Sequence, residues 1–322
     1  MDTNGIFSDI SDDILSDGLP KILPPSENGI FRSVLTLPES YIALVSSVAA
    51  FLDRPVMSVT LRNNDAPARD RNAKQEEYDI NCVVDGADGD QCDVEMQASH
   101  MDGDNKDNDH RNLKWRSVHN LSHLHSNQEG RGKPYGSLVR SYQVMLCNYK
   151  IFSFENDLVE RFTLRNPKGT ELCDAVSAIF IDLTRAREIA EKPVNEMSDI
   201  EVWVVFFALA HRPEYSGIIT EITKSKEGVA VAYNTLLNIS QSPEERARFN
   251  SRRMWLQDRE HEHAVWKEEG RTEGRREGQI EGRREGRLDE KIKIARDMKA
   301  EGMSVEIIAR LTKLSVAEIE KL

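Results

Sequence analysis

The chain has 322 residues, 39% hydrophobic and 30% charged, with a formal net charge of −12; that is ample for a buried core and suggests two domains, or one enlarged domain with an extension. The acidic balance argues against a general nucleic-acid coat, which relies on Lys and Arg, but not against a nuclease whose metal brings its own positive charge. No window approaches the roughly 20 apolar residues of a membrane span, and the opening MDTNGIFSDISDD lacks the layout of a secretory signal, so a cytoplasmic protein with no membrane partner is expected.

Residues 1–27 mix Asp, Ser and Pro and read as a mobile leader without chemistry. From Asn28, NGIFRSVLTLPESYIALVSSVAAFL offers a short apolar turn and then a helix from about Glu39 to Leu52. Pro38 sits at its first turn, and Ile42, Val45, Val48, Ala49 and Leu52 recur at helical spacing as a core face. In RPVMSVTLRN, Val56, Ser58 and Thr60 alternate with Met57, Val59 and Leu61, the pattern of a strand. A polar connector follows.

The stretch Tyr78 to Ala98, YDINCVVDGADGDQCDVEMQA, reads as a β-hairpin around a loop dense in Gly and Asp. With the loop centred on Ala87, Asp79 stands opposite Glu95 and Asn81 opposite Asp93, and Gln97 follows on the same face. Ile80, Cys82, Val84, Cys92, Val94 and Met96 form the apolar face. Cys82 and Cys92 are expected as buried thiols at adjacent, not directly opposed, positions, since the four cysteines show no CxxC spacing. Like charges about 5 Å apart across a ladder are destabilising unless neutralised, and a bound cation would do that. The alternative is that these acids are only the wet face of a hairpin.

SHMDGDNKDNDHRN reads as a solvated loop in spite of its acids, His100 and His110. A helix is expected from Leu113, carrying Trp115, Arg116, Val118 and His119, and broken by Gly130, Gly132 and Pro134. His119 and His123 have i, i+4 spacing but no acid in an HExxH arrangement, so they are weak metal ligands on sequence grounds. GSLVRSYQVMLCNYKIFSF is extended and largely buried, VERFTLRNP resembles a further strand, and AVSAIFIDL is the clearest β run of the second half. IEVWVVFFALAHRP is a short apolar helix or a buried strand, closed by Pro213.

The remainder is helical. Ser242 and Glu245 form a capping-box pattern with Pro243 at the first helical position. In EEGRTEGRREGQIEGRREG, Gly270, Gly274, Gly278, Gly282 and Gly286 recur every four residues. Two readings stand: close helix pairing between subunits, or a charged linker; the intervening Arg and Glu exclude membrane dimerisation. At the end, one helix stops at Gly302, a second starts at Ser304 and a third opens with Ser315 and Glu318, spaced like a helix-turn-helix. The third carries Glu318 and Glu320, which favours an assembly role over DNA reading. The expected parts are a leader (1–27), an α/β domain (28–240), a charged helix with the glycine repeat (241–288) and a small helical tail (289–322).

The run DINCVVDGADGDQCDVEMQ resembles the D, then DG, then (V/I)E(M/I)Q signature of the Rpn family, recombination-promoting nucleases or putative transposases of the PD-(D/E)xK superfamily. IFRSVL, Arg116, Tyr135, Trp203 with Phe206 and Phe207, EERARF, the glycine tail and GMSVEIIARLTKLS follow in the same order, so the likeness spans roughly residues 28–322. The resemblance implies a restriction-endonuclease-like α/β core with a helical C-terminal extension, cutting DNA with Mg2+ or with Mn2+ in its place. By the same resemblance Asp79 and Glu95 are the metal-binding acids and Gln97 occupies the position of the superfamily's lysine; from the glycine repeat, a homo-oligomer through the C-terminal helix is expected. The alternative within it is a catalytically weak, DNA-associated assembly module acting through its tail. The chain departs from the pattern in its DGDNKDNDH insertion and in His119 and Asn120, where aromatics are common. An acid on the first helix assists some superfamily members; Glu39 and Asp53 are the candidates here.

Overall fold

Alternating residues give the chain its sheet, and apolar helices cover it. The computed structural model describes residues 20–62, 79–86, 89–97, 106–128, 134–152 and 157–322. Helices α1 (Asn28–Thr36) and α2 (Tyr41–Leu52) lead into strands β1 (Val59–Leu61), β2 (Ile80–Val84) and β3 (Asp90–Gln97). Then come α3 (Lys106–Ser126), β4 (Ser141–Cys147), β5 (Val159–Arg165) and β6 (Glu171–Asp182). Helices α4 (Ala186–Ile189), α5 (Asp199–Leu209), α6 (Ser216–Ser225), α7 (Glu227–Gln241), α8 (Pro243–Ala300), α9 (Val305–Thr312) and α10 (Val316–Glu320) complete the chain. The six strands form one mixed sheet in the order β1-β2-β3-β4-β6-β5. β3, β4 and β6 run parallel, because α3 carries the chain back between β3 and β4; the other pairs are antiparallel. This is the expected α/β core with a helical extension.

The two faces of the sheet are covered differently. Ile80, Cys82, Val84, Cys92, Val94 and Met96 join Val144, Leu146, Ile179 and Ile181 against α1, α2, α5 and α7 in the main core. On the other face α3 lays Leu113 and Leu121 over Met145, Cys147, Ala178 and Phe180. The apolar run 200–213 is a helix, α5, with Trp203, Phe206 and Phe207 stacked at its centre. A complete capping box of Ser198 and Glu201 opens it.

Several sequence expectations need correction. In α2 the buried residues are Ala43, Leu44, Ser47, Val48, Phe51 and Leu52, while Ile42 is 46% exposed; the helix is apolar almost all round, so spacing alone does not choose its face. The leader packs over its last residues: Leu23 is fully buried, and its N–H donates to Ser240 Oγ. α3 starts at Lys106, inside the stretch expected as loop, and His110 stacks on Tyr149; residues 98–105 lie outside the described residues. Cys82 and Cys92 are direct ladder partners, since the register that pairs Asn81 with Asp93 also pairs 82 with 92. Both are free thiols, as is exposed Cys173. At α8 the cap is half of a box: the Glu245 N–H donates to Ser242 Oγ, but the Ser242 N–H donates back to the Asn238 and Ile239 carbonyls.

The chain falls into two units, Met1–Met254 and Trp255–Leu322. In the second, Ala295, Ile308, Leu314 and Ile319 make a small core, and Ser315 with Glu318 closes the expected capping box of α10. The five repeat glycines lie in α8, and a Cβ on any of them would meet nothing within 4 Å. Among the described residues no single helix is long and apolar enough to cross a membrane, and α1 and α2 lie in the core.

Two glycines are dictated by contact. A Cβ on Gly89 would fall 1.8 Å from the Val84 carbonyl oxygen across the hairpin, and one on Gly228 would fall 2.5 Å from Ser46 Cβ, where α7 meets α2. Gly228→Ala should therefore destabilise the protein by about 1–3 kcal/mol, the usual range for overpacking, and adding Ser46→Gly should recover most of the loss. Urea midpoints of the two variants check this; an unchanged midpoint for Gly228→Ala would mean that the helices part freely.

Candidate active site

Period-two alternation puts Asp93, Glu95 and Gln97 on the face of β3 that looks toward α3, and the ladder sets their neighbours. Asn81 lies beside Asp93 on β2, and Gln143 lies beside it on β4. Glu95 is flanked on β4 by Met145 and Gln97 by Cys147. Asp79 immediately precedes β2, at the end of the hairpin that holds Glu95. This face is not wet: Asp93 is 0% and Glu95 5% exposed, and Asn81 and Gln143 are buried as well.

A buried carboxylate needs donors, and α3 supplies them. Asn120 Nδ2 donates to Glu95 Oε1 at 2.7 Å, while Arg116 Nη2 donates to Oε2 at 3.0 Å. Their i, i+4 spacing puts both on one face of the helix. Gln97 Nε2 adds a bond to the same Oε2 at 3.2 Å. Gln97 thus does as a neutral donor part of what a lysine would do with charge, and its Oε1 remains an acceptor for a water.

Asp79 is half-buried, and its Oδ2 accepts the Met96 N–H at 2.9 Å. Burial pushes its carboxyl up to about 6 from 3.8, and the charge of Glu95 adds to the rise; the Met96 bond, Arg252 and Arg116 oppose it. Asp93 lies deepest. Burial, and then the charges of Glu95 and Asp79, hold it well above the ordinary carboxylate range, although Gln143 Nε2 donates to its Oδ2 at 2.6 Å. Its Oδ1 has no hydrogen-bond partner among the described residues. Buried and coupled to two other acids, Asp93 is the one that keeps its proton.

The charge of Arg252 also reaches an acid at the start of the first helix. Glu27 occupies the N-cap position of α1; burial raises its carboxyl and Arg252 lowers it. Arg252 therefore acts on both Glu27 and Asp79. The two first-helix candidates named above lie elsewhere, Glu39 in a 3-10 turn and Asp53 at the left-handed C-cap of α2. Among the described residues, no group of three or more His, Cys, Asp or Glu is gathered closely enough to hold an ion by itself. His123 bonds to Asn127 and His125 to Ser141, away from any ligand cluster.

A family model described as PD-(D/E)XK nuclease family transposase matches residues 27–264, well over half of the chain. The chain belongs to this family. No curated protein and no solved structure matches it. The PD-(D/E)XK match begins at Glu27 and takes in the whole sheet, α3 and the first part of α8, so every residue described above lies within it.

Two neighbours of the hairpin acids in this PD-(D/E)XK chain were not legible: Asn120, which bonds Glu95, and Arg252, whose charge acts on Asp79. Asn120 had a signal, a polar residue where aromatics are common; Arg252 had none, since it comes from a distant element.

The proton on Asp93 has a consequence for stability. Unfolded, the group titrates near 3.8; folded, it titrates well above that. Its contribution to stability is therefore full below that value and is lost as pH rises. Asp93→Asn cannot titrate, so in EDTA it should gain stability relative to wild type as pH rises above about 4. Urea unfolding across that range checks the sign, and a difference flat with pH would show that folded Asp93 is ionised.

Proposed function

We propose that this protein is a divalent-metal-dependent DNA endonuclease that acts in recombination or on mobile DNA. The observation that carries the reading is the acid pair on the hairpin: Asp79 with its carboxyl raised to about 6, and Glu95 buried with three donors, on the face shared with α3. Perturbed acids beside specific charged partners are typical of reactive sites. The family supports a nuclease.

The donor set suits Mg2+, with Mn2+ able to take its place. Two carboxylates are hard oxygen ligands, and Mg2+ is commonly held by one or two carboxylates with waters and substrate phosphate filling the rest, so a third protein acid is not required. Asp79 and Glu95 would hold the ion. When bound, it would polarise a phosphoryl oxygen and acidify water.

The protein groups have distinct tasks in this reading. Asn120, Arg116 and Gln97 fix the Glu95 carboxylate before substrate arrives, which avoids reorganisation during the reaction. Gln97 Oε1 accepts a hydrogen bond from the attacking water and aims its oxygen at phosphorus. Hydrolysis forms one P–O bond from that water as the P–O bond to the leaving sugar oxygen breaks. One water proton is released, and the sugar oxygen takes one up.

The neutral residue at 97 favours a second reading, a catalytically weak member that works as a DNA-associated assembly module. Plasmid nicking separates the two. The wild type should nick supercoiled DNA with Mg2+ or Mn2+ and stop in EDTA, while Asp79→Ala and Glu95→Ala should each lose at least roughly 10²-fold of the rate and remain folded. Equal nicking by all three proteins would sink the assignment; DNA binding without nicking would favour the module.

The acid limb tests the same site. Asp79 must lose its proton to bind the ion, so at limiting Mg2+ the rate should fall as pH drops through about 6. More Mg2+ should move that limb to lower pH, because metal and proton compete for one carboxylate. A limb that ignores Mg2+ would place the titration elsewhere.

A further inference from the structure

We propose that Trp115, on the outward face of α3, stacks on an unpaired base of the DNA substrate, so that the protein takes single-stranded or locally opened DNA in preference to an intact duplex. The inference rests on the nuclease reading above for its substrate and adds where a strand is held.

The two faces of α3 meet different surroundings. Leu113, Ser117, Asn120, Leu121 and Leu124 recur at helical spacing and are buried. Arg111, Trp115, Val118 and Ser122 recur at the same spacing on the other side and are exposed. Trp115 is 67% and Val118 60% exposed. An indole left in water forgoes the stabilisation that burial would bring, so a large exposed ring is the observation that calls for a ligand.

The charge around the ring indicates what covers it. The whole chain carries −12, yet residues 110–128 hold three Lys or Arg, four His and no Asp or Glu. Arg111 sets its guanidinium carbon 5.7 Å from the Trp115 ring centroid, a cation over one face of the indole. The other face is the one a flat ligand would take. Arg116, the next residue, is partly exposed and pairs with Glu95 at 3.0 Å, so the ring adjoins the residue that ties α3 to the acid pair.

An aromatic ring flanked by arginines matches a nucleotide, whose base stacks and whose phosphate pairs with a guanidinium. A base inside an intact duplex is already stacked and must leave its neighbours to reach the ring, which favours unpaired DNA. A protein partner fits less well. The exposed large apolar side chains on this face of α3 are Trp115 and Val118, far short of the roughly 800 Å² per partner of a stable protein interface.

The test uses the full-length chain as wild type, Trp115→Ala and Trp115→Phe, in EDTA, with one labelled oligonucleotide offered as a single strand and as a duplex. Trp115→Ala should weaken single-strand binding roughly 5- to 100-fold, the loss of one stacked base, and duplex binding by much less. Trp115→Phe keeps a ring and should recover most of the affinity. Single-strand binding should quench indole fluorescence in the wild type, and that quench should vanish in Trp115→Phe although the variant still binds. A purely structural tryptophan would not behave in this way. Thermal midpoints should not change, because the ring is exposed.

Unchanged single-strand affinity in Trp115→Ala overturns the proposal and leaves the nuclease reading to plasmid nicking. Equal losses on single strand and duplex overturn it as well, since an unpaired base is then not the partner. A wild-type dimer that Trp115→Ala dissociates, with DNA binding intact, would mean that a second copy covers this face and also overturns it. If the wild type does not nick but shows the Trp115 quench, the nuclease reading falls and the stacking site is supported.

Discussion

The structure turns on a carboxylate placed between a β-sheet and a helix. Glu95 points from a central strand into the layer between the sheet and α3, where water cannot solvate it, so the covering helix must present donors at the right height. Arg116 and Asn120, one turn apart, do so. That demand makes α3 something other than an ordinary amphipathic cover. Its inward face is apolar at Leu113 and Leu121, against β4 and β6, and polar at 116 and 120, against β3. The parallel β3–α3–β4 crossover therefore does two jobs, closing the second core and fixing a buried carboxylate.

Depth then separates acids that share one small area. Asp93, at the centre of the sheet with Gln143 as its donor, is fully enclosed and keeps its proton. Glu95, one pleat along, receives three donors. Asp79, at the rim, is only half-buried, and its carboxyl is pushed up to about 6. A row of three charged carboxylates at these spacings would be prohibitively costly. Neutral Asp93 lowers the repulsion on the other two, so its burial is part of how the hairpin tolerates them.

The register of the hairpin was readable because a period of two admits few alternatives once one face is apolar. That is why Asp79, Asn81, Asp93 and Glu95 fell into place from spacing alone, and why a shift of one residue would have turned the core outward. Whether the polar face was wet could not be read in the same way. Alternation says that two faces differ, not what covers each, and the cover here is a helix whose start lay inside a run of Asp and Asn that looked too hydrophilic to pack. α2 failed for the opposite reason: nearly every residue is apolar, so no spacing stands out. Glu27 and Arg252 were beyond any local pattern. They come from elements on either side of the hairpin in sequence, and the charge of Arg252 acts on both Glu27 and Asp79.

The glutamine at 97 ties these observations together. A lysine there would offset one of the two outer acids from within the same strand. With glutamine the strand keeps its full negative charge, and a buried site cannot leave such charge uncompensated. The compensation in this chain comes from outside the strand: Arg116 bonded to Glu95 from α3, and Arg252 acting on Asp79 and Glu27 from α8. The two cations differ in a way that matters. One is fixed in an ion pair, so its charge is spent on holding the carboxylate; the other is exposed and, among the described residues, makes no hydrogen bond or ion pair. A short sequence signature reads only the strand. The charges that oppose those of Asp79 and Glu95 come from two elements that the signature does not contain, α3 and α8.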